Sequence, residues 1–156
     1  MKAMILAAGY GKRLLPLTKD TPKPLLKVGN KTLIERNINN LLESGFSEIV
    51  INVSHLSKLV EGHVKEKFPK NNILFSFEER PLGTGGGVLK ALNILGAEPF
   101  LLINSDIYHC ISFTNFPKTT EAAHLIGVPN PDHNRNGDFS IKNENMVEVQ
   151  DGLNEL

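Results

Sequence analysis

The chain predicts a doubly wound, Rossmann-like α/β fold with a mostly parallel sheet. Two features predict it. Short apolar runs alternate with segments of helical periodicity in the order βαβαβαβ, and a Gly-x-Gly turn follows the first apolar run directly. At 156 residues, with 40% hydrophobic and 22% charged side chains, one soluble globular domain with a real core is expected. Basic and acidic residues balance at 17 each, so no global field draws the chain to nucleic acid or to an anionic membrane. A polyanion must be bound locally. The single cysteine, Cys110, excludes an internal disulfide framework, and the N-terminal apolar run is too short for a secretory signal or a span. A cytoplasmic protein is expected.

The elements follow in order. Lys2 to Ala8 suits a buried parallel strand, and Gly9 and Gly11 come where that strand must turn over the end of its sheet. Without side chains there, backbone N–H groups can approach phosphate oxygens closely. Arg13 lies just beyond, its planar fork suited to terminal phosphates, and Lys23 is framed by Pro22 and Pro24, which limit the backbone presenting it. The stretch reads as a nucleoside triphosphate site. It is not a dinucleotide fingerprint, which needs glycine where this chain has Leu14, nor a P-loop, which needs Ser or Thr where it has Arg13.

Thr32-x-x-Glu35 reads as a capping box for a helix carrying Ile34, Ile38, Leu41 and Leu42 and stopped by Gly45. A strand at Glu48 to Val53 follows. Leu56, Leu59, Val60, His63, Val64 and Phe68 mark a second helix before Pro69, and Asn71-Asn72 turns into a strand at Ile73 to Phe77. Thr84 is the expected cap of a third helix with Val88, Leu89, Leu92 and Leu95, ended by Gly96 before the strand Phe100 to Asn104. With right-handed crossovers the four strands take the order 3-2-1-4, which puts the first and fourth side by side at the switch point where ligands bind. The Gly9 loop and Asp106 should therefore face one another. Further on, Ala122 to Val128, Phe139 to Ile141 and Met146 to Val149 read as short strands. Asp151-Gly152 is a hairpin-turn signal with only Leu153 to Leu156 after it. None of the five histidines has metal-pair spacing.

Gly9-x-Gly11-x-Arg13-x-x-Pro16-x-Thr18 followed by Lys23-Pro24-Leu25 resembles the signature of the sugar-1-phosphate nucleotidyltransferases. The resemblance continues through Pro81-Leu82-Gly83-Thr84-Gly85-Gly86-Gly87, Asn104-Ser105-Asp106, Asn130-Pro131 and Gly137-Asp138-Phe139. It implies the nucleotide-diphospho-sugar transferase fold. It also implies transfer of a nucleoside monophosphate to a sugar 1-phosphate with release of pyrophosphate. The triple glycine and the Gly-Asp-Phe segment most resemble members that use UTP and N-acetylmuramate 1-phosphate. By the same resemblance Arg13 holds the β- and γ-phosphates and Lys23 meets the α-phosphate and the incoming sugar phosphate. Asp106, a hard oxygen ligand directly after an apolar strand, is the expected Mg²⁺ ligand.

Leu6, Ala7, Ala8, Gly9 and Gly11 resemble the backbone shelf for the nucleotide, with Glu79, Gly83 and Gly85 as the opposite wall. Asn104, Asn130 and Asp138 are candidates for sugar contacts. The family commonly has Gly where this chain has Ser105. It also draws a second acidic ligand from a longer C-terminal part, which nothing after Asp106 matches. The expectation is therefore a chain that binds UTP but turns over poorly or not at all, with a strand edge open to a second copy or to a separately encoded remainder. A nucleotide-binding module without turnover stays open beside the transferase reading, as does an oxidoreductase of Rossmann type, which the missing third glycine argues against.

Overall fold

The computed structural model describes residues 1–117, 123–129, 132, 139–142 and 146–149. In chain order the elements are β1 (Lys2–Leu6), the short pair β2 (Lys27–Val28) and β3 (Lys31–Thr32), α1 (Leu33–Glu43) and β4 (Glu48–Val53). There follow α2 (Ser57–Lys67), β5 (Asn72–Phe77), α3 (Gly83–Leu95), β6 (Phe100–Asn104), β7 (Phe139–Lys142) and β8 (Met146–Val149). They fall in two compact units, Met1–Glu121 and Ala122–Leu156.

In the first unit β5, β4, β1 and β6 lie side by side in that order and all are parallel, which is the expected 3-2-1-4 arrangement. β1 is central, and both of its faces are apolar. Ala3 and Ile5 point to one side with Ile34, Ile38 and Leu41 of α1 and Val60 and Val64 of α2, while Met4 points to the other with Ala91 and Leu95 of α3. Right-handed crossovers explain this split. Stepping from β1 to β4 to β5 puts α1 and α2 on one face, and the return from β5 to β6 puts α3 on the opposite face.

Thr32 caps α1 as its sequence predicts: its hydroxyl accepts from the Glu35 N–H at 3.2 Å, and the Glu35 carboxylate accepts from the Thr32 N–H at 2.6 Å. His63, on α2, reaches this box, with Nε2 3.3 Å from the Thr32 hydroxyl and 3.6 Å from Glu35 Oε1. Burial alone would raise the Glu35 carboxyl, but the two Thr32 hydrogen bonds and the charges of His63 and Lys67 outweigh it and hold it below the ordinary value.

Three details depart from the sequence expectation. Thr84 does not cap α3: the helix starts at Gly83, and the preceding residue, Leu82, is anchored by its N–H to Glu78 Oε2 at 2.8 Å. The buried stripe of α3 is Gly87, Ala91 and Leu95 rather than one through Leu89 and Leu92, because small residues let the helix lie close on the sheet. Residues 123–128 are not a strand; Leu125, Ile126 and Val128 are exposed and have no ladder partner among the described residues. The small β2–β3 hairpin, turning at Gly29 with φ of 67°, is an addition the periodicity did not suggest. β7 and β8 pair antiparallel in the second unit, Phe139 opposite Val149, where short strands were expected. The Asp151-Gly152 turn lies outside the described residues. Among the described residues no helix is long and apolar enough to cross a membrane.

Candidate active site

Leu6 and Asn104, the last residues of β1 and β6, are register partners, and a cleft of about 370 Å³ opens beyond them. This is the carboxyl end of the sheet at its switch point, where the topology was expected to bring the Gly9 loop and Asp106 together. Gly11 turns the loop with φ of 66°, and an added Cβ would lie 3.0 Å from Thr18 Cγ2 and 3.3 Å from Lys23 Cβ. Only glycine suits both the dihedral and the space. Buried Thr18 donates its hydroxyl to the Gly11 carbonyl at 2.9 Å, so the spacing Gly11 to Thr18 closes the loop on itself. Arg13, in the single 3-10 turn Lys12–Leu14, is exposed at the cleft and forms no ion pair among the described residues. Lys12 lies over the Tyr10 ring, 5.3 Å from its centroid.

Lys23 opens a second 3-10 turn, Lys23–Leu25, with Pro22 extended before it and Pro24 buried after it. Its ammonium pairs with Asp106 Oδ2 across the cleft. The residue before Asp106 is pinned from both sides. The Ser105 N–H donates to the Leu6 carbonyl at 3.0 Å, and its carbonyl accepts from Asn37 Nδ2 of α1 at 3.1 Å.

A buried relay runs under the shelf. Asn52, near the end of β4, accepts from the Ala7 N–H at 2.8 Å and donates to Glu78 Oε1 at 2.7 Å. The other Glu78 oxygen takes the Leu82 N–H, so one carboxylate ties β1's loop, through β4, to the start of α3. An added Cβ on Gly87 would lie 2.7 Å from Asn52 Nδ2 and 2.9 Å from Glu78 Oε1. The relay thus explains the third glycine of the triple.

Of the residues singled out by sequence, Leu6, Ala7, Ala8, Gly9, Gly11, Arg13, Lys23, Gly83, Asn104 and Asp106 line this cleft. Glu79 and Gly85 do not: Glu79 is exposed, and nothing lies within 4 Å of a Cβ built on Gly85. Asn130 and Asp138 lie outside the described residues. Asn52 lines the cleft without having been singled out, and Glu78 stands behind it. No sequence signal marks Glu78, since the strand buries Ser76 and Glu78 and exposes Phe77 and Glu79, against the apolar alternation of Phe75 and Phe77.

The sequence matches the nucleotidyl transferase family over residues 2–149. The chain belongs to that family. It is 44% identical over 155 residues to the N-acetylmuramate alpha-1-phosphate uridylyltransferase of Neisseria meningitidis serogroup B, covering 94% of this chain and 67% of that one. It is 41% identical over 111 residues to a mannose-1-phosphate guanyltransferase of Schizosaccharomyces pombe, covering 69% of this chain and 31% of that one. Among solved structures, HddC from Yersinia pseudotuberculosis complexed with GMP-PN superposes with a TM-score of 0.66 at 30% identity, over 74% of this chain and 52% of that one. The chain therefore spans about half the length of that structure.

For this nucleotidyl transferase chain the question of a metal turns on Asp106. The described residues contain no cluster of three or more His, Cys, Asp or Glu side chains able to hold an ion. They do offer one partly exposed carboxylate facing the cleft. That donor set suits Mg²⁺, which is commonly held by one or two carboxylates with substrate phosphates and water completing the shell.

Proposed function

We propose that the cleft joins a nucleoside monophosphate, taken from UTP, to N-acetylmuramate 1-phosphate and releases pyrophosphate. The observation that supports it most is the convergence of Arg13, Lys23 and Asp106 on one cleft beneath the loop at Gly9 and Gly11. Both reactants are anions, so the main task is to cancel their repulsion and hold them in line. An oxygen of the sugar phosphate attacks the α-phosphorus. The bond from that phosphorus to the α–β bridging oxygen breaks, and its electrons leave with pyrophosphate. No general base is needed, because the attacking oxygen is already ionised.

Arg13 grips the β- and γ-phosphates with its fork, which is where charge accumulates on the leaving group. Lys23 meets the α-phosphate and the incoming phosphate. Asp106 would hold Mg²⁺, which when bound supplies positive charge to the phosphate oxygens. Drawing Asp106 out of its pair would free Lys23 for phosphate, so the two groups would exchange partners when the site fills. Leu6 to Gly9 form the shelf against which the base rests, with Gly83 opposite, and Asn104 is in reach of the sugar.

The choice of UTP and N-acetylmuramate 1-phosphate is supported by the uridylyltransferase relative, 44% identical over 94% of this chain. The guanyltransferase relatives make GTP with mannose 1-phosphate the competing pair. Pyrophosphate release, measured with Mg²⁺ for each nucleotide against each sugar 1-phosphate, tests both levels. Fastest release from UTP with N-acetylmuramate 1-phosphate is expected. Faster turnover of GTP with mannose 1-phosphate would overturn the substrate choice, and UTP binding without release from any pair would overturn the transferase reading.

A further inference from the structure

We propose that Asn37, oriented by His109, is the positioning residue for Asp106; the proposal rests on the reading of Asp106 as the group that holds Mg²⁺. Asn37 sits in the middle of α1, is 2% exposed, and contributes nothing to the cleft surface. A buried amide in a helix interior calls for a reason, since its polar atoms must all be satisfied away from water. Its partners supply one.

The order of donors can be worked out from the far end. The Ile111 N–H donates to His109 Nδ1 at 3.3 Å, so that nitrogen is the acceptor and the ring proton sits on Nε2. His109 Nε2 lies 3.2 Å from Asn37 Oδ1 and therefore donates to it. With its oxygen fixed, the Asn37 amide must point its two N–H groups the other way, to the Leu33 carbonyl at 3.0 Å and the Ser105 carbonyl at 3.1 Å. A flipped amide would oppose donor to donor at His109 and acceptor to acceptor at both carbonyls. The histidine thus selects the one orientation in which α1 holds the peptide preceding Asp106.

Geometry then fixes the carboxylate. Ser105, 4% exposed, is held to β1 through its N–H and to α1 through its carbonyl, and Asp106 is the next residue along. The ring of His109 is itself set by its edge contact with Phe113, whose centroid lies 5.4 Å away and which is buried in the core. Asn40 and Ser44, one and two turns further along α1, continue the support by holding the backbone of Ile111 and Phe113. His109 is three residues past Asp106 and does not line the cleft, so its influence on the carboxylate runs through Asn37.

Two substitutions separate this role from plain packing. His109→Phe keeps the aromatic contact with Phe113 but removes the donor, while His109→Gln places an amide N–H where Nε2 stood. UTP binding is measured by calorimetry across a Mg²⁺ titration and in chelator, and hydrogen exchange is followed over residues 104–109 without ligand. In His109→Phe, half-maximal Mg²⁺ support of UTP binding is expected to need about tenfold more cation, the low end of the usual effect of losing an outer partner of a metal ligand. Exchange at 104–109 should quicken, UTP affinity in chelator should hold, and His109→Gln should restore both changed readings. Equal behaviour of the Phe and Gln variants, or a Phe variant with unchanged exchange and Mg²⁺ response, would overturn the proposal. No Mg²⁺-dependent UTP binding by the unsubstituted chain would instead overturn the reading of Asp106 beneath it.

Discussion

Adding one methyl group at Gly87 should harm this chain far more than the same change two residues earlier. The Gly87 Cβ would come within 2.7 Å of Asn52 Nδ2 and 2.9 Å of Glu78 Oε1, both on side chains at most 5% exposed. Neither atom is free to swing away. Asn52 is held on its other side by the Ala7 N–H at 2.8 Å, and Glu78 by the Leu82 N–H at 2.8 Å. Either the Asn52–Glu78 bond breaks, leaving buried polar groups unpaired, or α3 lifts off the sheet. Unpairing costs about 1–3 kcal/mol and overpacking a similar amount, against a gain of about 0.5–1 kcal/mol from replacing glycine in a helix. Either route leaves a net loss of up to about 2.5 kcal/mol, which lowers Tm by up to roughly 10 °C at this chain length. At Gly85 a Cβ would meet nothing within 4 Å, so Gly85→Ala should keep or slightly raise Tm. Thermal unfolding of both variants, followed by circular dichroism, gives the comparison, with UTP affinity as the functional readout. Gly87→Ala should weaken UTP binding because the Ala7 shelf loses its support, and Gly85→Ala should leave it intact. Equal Tm changes in the two variants would refute the relay as a constraint on α3.

Lys23→Ala should lose about 10²–10³ in rate, as removal of one preorganised transition-state contact does, while Lys12→Ala should lose little because its ammonium rests over Tyr10; equal small losses in pyrophosphate release would sink the assignment of Lys23. Asp106→Asn should abolish the Mg²⁺ dependence of UTP binding and, by releasing Lys23 from its pair, raise affinity in chelator above that of the unsubstituted chain; lower affinity in chelator would contradict the exchange of partners. Burial holds His109 below its ordinary value of 6.5, so the unfolded chain takes up the proton first. Stability should therefore fall as pH drops from 6.5 towards the lower folded value, and urea unfolding of His109→Gln should have that part of the pH slope removed.

The four parallel strands and their order were legible because each apolar run is bounded by a strong stop. Thr32 with Glu35, Gly45, Pro69 and Gly96 punctuate the helices, and the handedness of crossovers leaves few arrangements. The cleft was legible for the same reason, since its backbone shelf follows from where β1 ends. What stayed hidden is the set of residues that act one step behind the surface. Asn52 sits inside the run Ile-Val-Ile-Asn-Val and looks like an interruption of an apolar strand, although it is the hinge of the buried relay. Glu78 and Glu79 are adjacent acids, and resemblance alone picked the exposed one; alternation through Phe75 and Phe77 points the same wrong way, because the strand buries Ser76 and exposes Phe77. Thr84 looked like a cap because its side chain could serve, but the Glu78 carboxylate had already fixed the preceding turn through Leu82. Side-chain hydrogen bonds across 26 and 45 residues of chain have no local periodicity to announce them.

One helix joins the logic of the fold to that of the site. On one face of α1, Ile34, Ile38 and Leu41 press into the sheet, and their spacing is what marks the segment as a helix. On another, Asn37, Asn40 and Ser44 hold the backbone that follows β6. The two stripes have to act together, because the apolar one fixes where the polar one stands relative to β6. A helix shifted by one residue would turn each side chain about 100° around its axis, burying the amides against the sheet and letting go of Ser105. The capping box at Thr32 and Glu35 guards against that shift by fixing the first turn. The position of Asp106 is thus set by the start of a helix more than 70 residues earlier in the chain, and substitutions at that cap, far from the cleft, act on the carboxylate through the helix they align.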